Sequence, residues 1–388
     1  MSKRPGKMPI ADWSIAPWNR WSFQNVRQCT VTEEVWRGAG ESHSFSYSRE
    51  DLEPIAFQDS KGENTTVGDW LNASYTDGFL VTHRGRIVFE NYYNGMTERS
   101  LHLSQSMSKS VTAVTLGILI GRGLVDPQLP VTNYLPELEN TAYKDAKVQQ
   151  VLDMASGVAF DEDYLSEKSD IFEMDVASGW RPVPDGYTGP TNVWDQILGL
   201  KNKEAEHGSR YLYRSIETDV LAHIMERVTG LSLSELVSRE LWSKLGCEES
   251  ACFTVDPTGY AMSSGGLNAT LRDYTRFGQL MLNGGFANGQ QIVPKFWVED
   301  TLNCDPSIFG APYTDALPYG AYRNQFWIED HRKRAYMALG IYGQVIYINH
   351  DYQTVMTKLS TWPEPTELDR RITCFNAFHA IGQALNGS

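Results

Sequence analysis

One Ser-x-x-Lys occurs in the chain, Ser106-Met107-Ser108-Lys109. At the start of a helix this spacing puts both side chains on one face, about one turn apart. A serine hydroxyl needs a neighbouring base to become a nucleophile. Lysine is that base only when neutral, and bringing its pKa from about 10.4 to near 7 takes about 3 units, or ~4 kcal/mol of environment. Burial supplies such a shift because desolvation disfavours the ammonium, and the positive end of a helix dipole adds to it. The same helix end aims backbone N–H groups at a developing oxyanion. Taken alone, the four residues read first as an N-cap serine with a solvated lysine.

Two further stretches carry matching chemistry. Gly208-Ser-Arg-Tyr-Leu-Tyr213-Arg214-Ser215 stands just before an amphipathic helical pattern. A Tyr213 hydroxyl beside a lysine can relay a proton from the serine to a leaving group. A core aromatic is the alternative for any one of 19 tyrosines. Met337-Ala338-Leu339-Gly340-Ile341-Tyr342-Gly343-Gln344 sets glycines in an apolar strand, which marks close approach of a backbone or a ligand, or else a bulge. Such a strand could lend a main-chain N–H to an acyl oxygen.

These residues need elements to hold them. Gly78–Thr82 and Ile87–Tyr93 read as a hairpin around residues 83–86, and a helix is predicted over Ser106–Gly121, stopped by Gly121-Arg122-Gly123. Helical spacing recurs at Val148–Met154, Asp219–Gly230 and Leu233–Leu245. Strands return at Tyr336–Gly343, Gln344–Asn349 and Thr354–Ser360, and a closing helix covers about Leu368–Leu385. The first 60 or so residues read as an irregular wrapping segment. Strands at both ends with helices between predict an α/β lobe from residues 1–125 and 246–388, with an all-helical lobe, 126–245, inserted.

The 388 residues carry 34 basic and 48 acidic side chains, a net charge of −14, and a field that repels polyanions, so nucleic acid is not an expected partner. No run reaches the roughly 18 apolar residues of a membrane span. The basic start, Met1 to Lys7, is not followed by an unbroken apolar stretch and reads as no signal peptide. The odd set of five cysteines forms no CxxC pair and reads as free thiols in a reducing cytoplasm, the expected location. No metal-ligand cluster is evident, and the serine chemistry requires no metal or organic cofactor.

Together the Ser-x-x-Lys, the tyrosine about 100 residues on and the late glycine-bearing strand resemble the serine β-lactamase and penicillin-binding-protein superfamily. Within it the chain is most similar to the 6-aminohexanoate-dimer hydrolases and their carboxylesterase relatives. From about Trp18 onward the shared segments include Trp18-Asn-Arg-Trp21, Gln150–Met154, Glu162-Asp-Tyr164, Ser178-Gly-Trp180, Thr218–Ala222, Glu226–Gly230 and Lys358–Pro363. The resemblance implies an antiparallel sheet flanked by helices, in the β-lactamase/DD-peptidase manner. It makes Ser106 the acylated nucleophile, Lys109 its base and Tyr213 the proton relay, with the N–H groups of Ser106 and Ile341 as the oxyanion hole. It makes Tyr164 a substrate contact on a loop, Asp175 the partner of a substrate amine, and Trp180, Ser264 and Tyr342 further substrate contacts.

The departures bear on the substrate. Ser215 stands where the β-lactamases carry Asn, two places after the tyrosine. The Lys-Thr-Gly strand is replaced by Ala338-Leu339-Gly340 or, in the other register, Ile341-Tyr342-Gly343, and neither supplies a cation for a β-lactam carboxylate. Tyr342-Gly343-Gln344 replaces the oligomer hydrolases' His-Gly-Gln, and Ser264 replaces an Asn that favours amide cleavage in some members. The expectation is a serine hydrolase for small esters or linear amides, esters first. A β-lactamase-like hydrolase and a non-catalytic ligand-binding descendant are the alternatives. Oligomeric state stays open, a homodimer being one option.

Overall fold

The apolar runs around residues 80 and 350 become neighbours in one sheet. In the computed structural model, which describes residues 5–6 and 8–387, the hairpin forms as Thr76–His83 and Arg86–Tyr92. Residues 1–4 and 7, which hold most of the basic N-terminal start, lie outside the described residues. Across the sheet the strands run Ala321–Arg323, Phe326–Ile328, Ala335–Gly340, Gln344–Asn349, Thr354–Ser360, Thr76–His83, Arg86–Tyr92 and Ser46–Tyr47. Every pairing is antiparallel except the outermost, Ser46–Tyr47 beside Arg86–Tyr92. The two ends of the chain meet where Val355 pairs with Thr82 and Lys358 with Phe79.

Side chains alternate through the sheet with the period of two that a strand imposes. Phe79, Val81, Val345, Tyr347 and Met356 face one apolar layer, shared with Trp70 and with Phe378 of the closing helix Leu368–Gly387. Leu80, Ile346, Ile348 and Val355 face the other, shared with the helices Met107–Gly121 and Leu271–Leu282. Both faces are covered, which is why these strands read as continuous apolar runs. The α/β class and the helix-flanked antiparallel sheet are as expected. Between residues 126 and 245 every named element is helical. Among the described residues no helix is long and apolar enough to cross a membrane.

Some expected boundaries move, each for a local reason. The strand begun at Tyr336 stops at Gly340, because Tyr342 takes φ 61° and the chain turns into the next strand. The helix at Leu233 ends at Glu240, where Leu241 leaves helical backbone (φ −127°, ψ −65°) before a short 3-10 turn. The N-terminal segment is more than wrapping. Thr32–Val35 pairs with Ala251–Thr254 in a second sheet, and Trp13 and Phe23 are fully buried. The helix Leu271–Leu282 was not read from the sequence, although Thr270 caps it by accepting the Asp273 N–H.

Candidate active site

The helix Met107–Gly121 is buried around its whole circumference for most of its length, so its first turn carries Lys109 into the interior, 2% exposed. Ser106 stands at the N-cap position without making a side-chain capping bond, and it keeps part of its surface open. The residue before it, Gln105, holds φ +49° although it is buried and not glycine. Left-handed backbone at such a residue is a strain that folds retain where a side chain must be aimed. Across this turn lies Gly340: a Cβ there would meet the Ser104 carbonyl at 2.5 Å. The close-approach reading of the glycines therefore belongs to Gly340, and Ala338-Leu339-Gly340 is the register that faces the serine. Gly343 instead leaves room for the Trp362 ring, 2.3 Å from where a Cβ would stand.

Lys109 Nζ lies 2.9 Å from Ser106 Oγ, 3.1 Å from Ser215 Oγ and 2.7 Å from the Ser264 carbonyl oxygen. A proton inventory narrows the state of this amine. The Ser264 carbonyl can only accept. The Ser215 hydroxyl donates to Glu162 Oε1, so it too accepts from Lys109. Two lysine protons are thus committed, and the third tetrahedral position, toward Ser106, is free to carry a lone pair. Burial pushes the Lys109 pKa down to about 8, with the charges of Glu162 and Asp219 opposing. Asp219 is itself lifted to about 6 by burial, against hydrogen bonds from Ser263 and the Lys109 charge.

Tyr213 stands beside the pair. Its ring centroid is 5.1 Å from Lys109 Nζ, and it stacks on Trp327 at 5.4 Å with planes 25° apart. Burial, then the Glu162 charge, lifts its phenol above the ordinary range, while a hydrogen bond with Ser106 pulls the other way. A phenol so placed stays protonated and acts as a donor. Ser215 occupies the place of the β-lactamase Asn and makes one of the contacts that hold the lysine.

Glu162 is the residue that sequence reasoning missed. Its carboxylate takes the Tyr164 hydroxyl at 2.6 Å, the Ser215 hydroxyl, and the Ser215 N–H at 2.9 Å. The segment Glu162-Asp-Tyr164 was legible as shared, but no local spacing ties a loop carboxylate to a serine 53 positions away.

Ser106, Tyr164 and Ile341 line two cavities, one on either side. The smaller, about 70 Å³, is walled by Asp175, Trp180, Ser264 and Tyr342, so the structure gathers the expected substrate-contact residues around the serine. Their polar groups are largely engaged. Asp175 Oδ2 accepts from Arg181 Nε at 3.2 Å; burial lifts its pKa to about 6 and Arg181 opposes. The Trp180 indole N–H donates to Thr254 Oγ1 at 3.0 Å. Ser264 reaches Lys109 through its carbonyl and is 1% exposed. Tyr342 is held by its main chain, donating to Pro365 O and accepting from Trp362 N–H. The larger cavity, about 560 Å³, lies on the Tyr213 side and is mainly apolar, with Tyr313, Leu317, Trp327, Leu339 and Phe375 in its wall.

Comparison with known proteins shows the family. A family model described as Beta-lactamase matches residues 73–377. The chain is 34% identical over 362 residues to the 6-aminohexanoate-dimer hydrolase of Paenarthrobacter ureafaciens, covering 93% of this chain and 90% of that one. Among solved structures it superposes with TM-score 0.90 and 30% identity on a Bacillus anthracis protein provisionally described as a 6-aminohexanoate-dimer hydrolase, over 100% of this chain and 99% of that one. A family VIII carboxylesterase shares the fold, at TM-score 0.59 and 16% identity, over 81% of this chain and 96% of its own.

Proposed function

This chain belongs to the beta-lactamase family and is a hydrolase, and we propose that it cleaves small carboxylic esters, and more slowly linear amides, through an acyl-enzyme on Ser106. The observation that carries the reading is the Lys109 amine, buried, 2.9 Å from Ser106 Oγ and left with one position open toward it. In the neutral amine that position is the lone pair. It takes the Ser106 proton as Oγ bonds to the substrate carbonyl carbon. The oxyanion forms at the start of the helix, and its assigned donors are the N–H groups of Ser106 and Ile341, both of which line the cavities at the serine. Tyr213, protonated and beside Ser106, hands a proton to the departing oxygen or nitrogen. The Lys109 ammonium reprotonates the Tyr213 phenolate and is neutral again. Water then attacks the acyl carbon, the same lysine accepts its proton, and that proton returns to Ser106 Oγ as the acyl–oxygen bond breaks.

Esters come first because an alkoxide or phenoxide leaves with less proton help than an amine. The small cavity adds to this order, since Asp175, the residue that would hold a substrate ammonium, is already paired with Arg181. A panel of p-nitrophenyl esters, linear aminohexanoate amides and nitrocefin tests the reading. Expected is turnover of the esters with an acyl adduct on Ser106 by mass spectrometry. Absence of both adduct and turnover would favour a non-catalytic descendant.

A further inference from the structure

The charges lining the two cavities are not equally satisfied. On the small side Asp175 and Arg181 neutralise each other at 3.2 Å. On the large side the wall contains one basic residue, Arg371, from the first turn of the closing helix. Its Nη2 donates to the Gly340 carbonyl at 3.2 Å, and its guanidinium lies 5.1 Å from the Trp362 ring centroid. Its Nη1 is buried and has no hydrogen-bond partner among the described residues. Three acidic residues share this wall, and each is committed elsewhere. Glu162 is held by Tyr164 and Ser215, Glu367 by Arg370, and Asp163 accepts the Leu165 N–H at 2.9 Å. Burial lowers the Arg371 pKa from the ordinary guanidinium value, and the groups that raise it are Cys374 and Tyr213, neither of them a carboxylate.

Arg371 is half-buried and held by Gly340 and Trp362, but its sealed Nη1 has nothing to donate to, and a buried donor left unpaired is costly. A guanidinium presents paired N–H donors in the plane and spacing of a carboxylate. We propose that Arg371 anchors a carboxylate on the substrate across the apolar cavity from Ser106, so that the preferred substrates are esters or small amides bearing an anionic group. The inference rests on the hydrolase reading above. It also answers the missing cation of the Ala338-Leu339-Gly340 strand: the charge enters the site from the closing helix, beside Gly340.

Two matched pairs test it at fixed ionic strength. One is the p-nitrophenyl monoester of a six-carbon dicarboxylic acid against its ω-methyl ester. The other is an acetate ester of 4-hydroxybenzoate against the same ester of methyl 4-hydroxybenzoate. The measured quantity is the ratio of kcat/KM, anionic over neutral. In the wild type the ratio exceeds one in at least one pair. Arg371→Gln lowers that ratio at least about tenfold, chiefly through KM, and Arg371→Lys recovers part of it. A ratio below one in both wild-type pairs, or a ratio untouched by Arg371→Gln, would overturn the inference while turnover of the neutral members leaves the hydrolase reading standing. If the variant fails to fold, the wild-type ratio decides alone. Wild-type protein that hydrolyses none of the four would fell the hydrolase reading and this inference with it.

Discussion

Among the described residues, two lysines are buried against a serine hydroxyl. Lys109 meets Ser106 at the start of the helix Met107–Gly121. Lys358 meets Ser360 within the central strand Thr354–Ser360, with the Trp70 ring centroid 5.4 Å from its Nζ. Burial pushes both amines down to about 8. Yet Lys358 and Ser360 are 0% exposed, whereas Ser106 opens onto two cavities. A depressed lysine beside an alcohol is therefore not a site by itself. What differs is access, together with the helix start at Ser106 and the strand Ala335–Gly340 that ends beside it.

The largest contrast is between the two serines. Ser106→Ala is expected to cut kcat on a p-nitrophenyl ester by at least about a thousandfold with the fold intact by circular dichroism. Ser360→Ala, made in the same assay, is expected to keep turnover within about threefold. Equal losses would erase the distinction drawn here.

The lysines sharpen it. Lys109→Met removes the base and is expected to cost several powers of ten in kcat, with the pH dependence of the residual rate gone. Lys358→Met touches no cavity and is expected to keep kcat and its pH profile. Both amines also bear on stability. A lysine whose folded pKa lies below its unfolded value is bound by fewer protons in the native state between the two, so stability rises as pH goes from about 8 to 10.5, by about 3 kcal/mol per residue when fully expressed. Urea unfolding at pH 7 and pH 10 is expected to show this gain in the wild type and a gain smaller by about one such increment in Lys358→Met. A wild type whose stability is flat over that range would contradict the burial account of both residues.

Much of this comparison was legible in the sequence, and the rest was hidden for identifiable reasons. Ser106-x-x-Lys109 is a local spacing at the start of one helix, so four residues suffice to see it. The hairpin and the late strands announce themselves by β-branched runs, and Gly230 by the left-handed stop it supplies (φ 71°). Glu162 and Arg371 were not legible. Their partners are 53 and 31 positions away, brought together by loops and by the closing helix, and nothing in their neighbours' types marks a carboxylate or guanidinium as aimed inward. Asp175 was found, but its pairing with Arg181 was not, so the expected amine contact rests on a carboxylate that is already occupied.

Smaller effects distinguish the supporting groups. Tyr213→Phe is expected to slow amide cleavage more than ester cleavage, since only the amine requires a delivered proton to leave; equal slowing of the two would remove the relay role. Glu162→Gln withdraws a charge that raises the Lys109 pKa, so the rising limb of kcat/KM against pH is expected to move to lower pH. A shift to higher pH would contradict the assignment of that limb to Lys109.

The most direct test is the rate of fluorophosphonate labelling across about pH 6 to pH 9.5, with the modified residue located by peptide mass spectrometry. The account predicts a single adduct, on Ser106, forming faster as pH rises through about 8 and unaffected by Ser360→Ala. A pH-independent rate, or an adduct on any other serine, would contradict it.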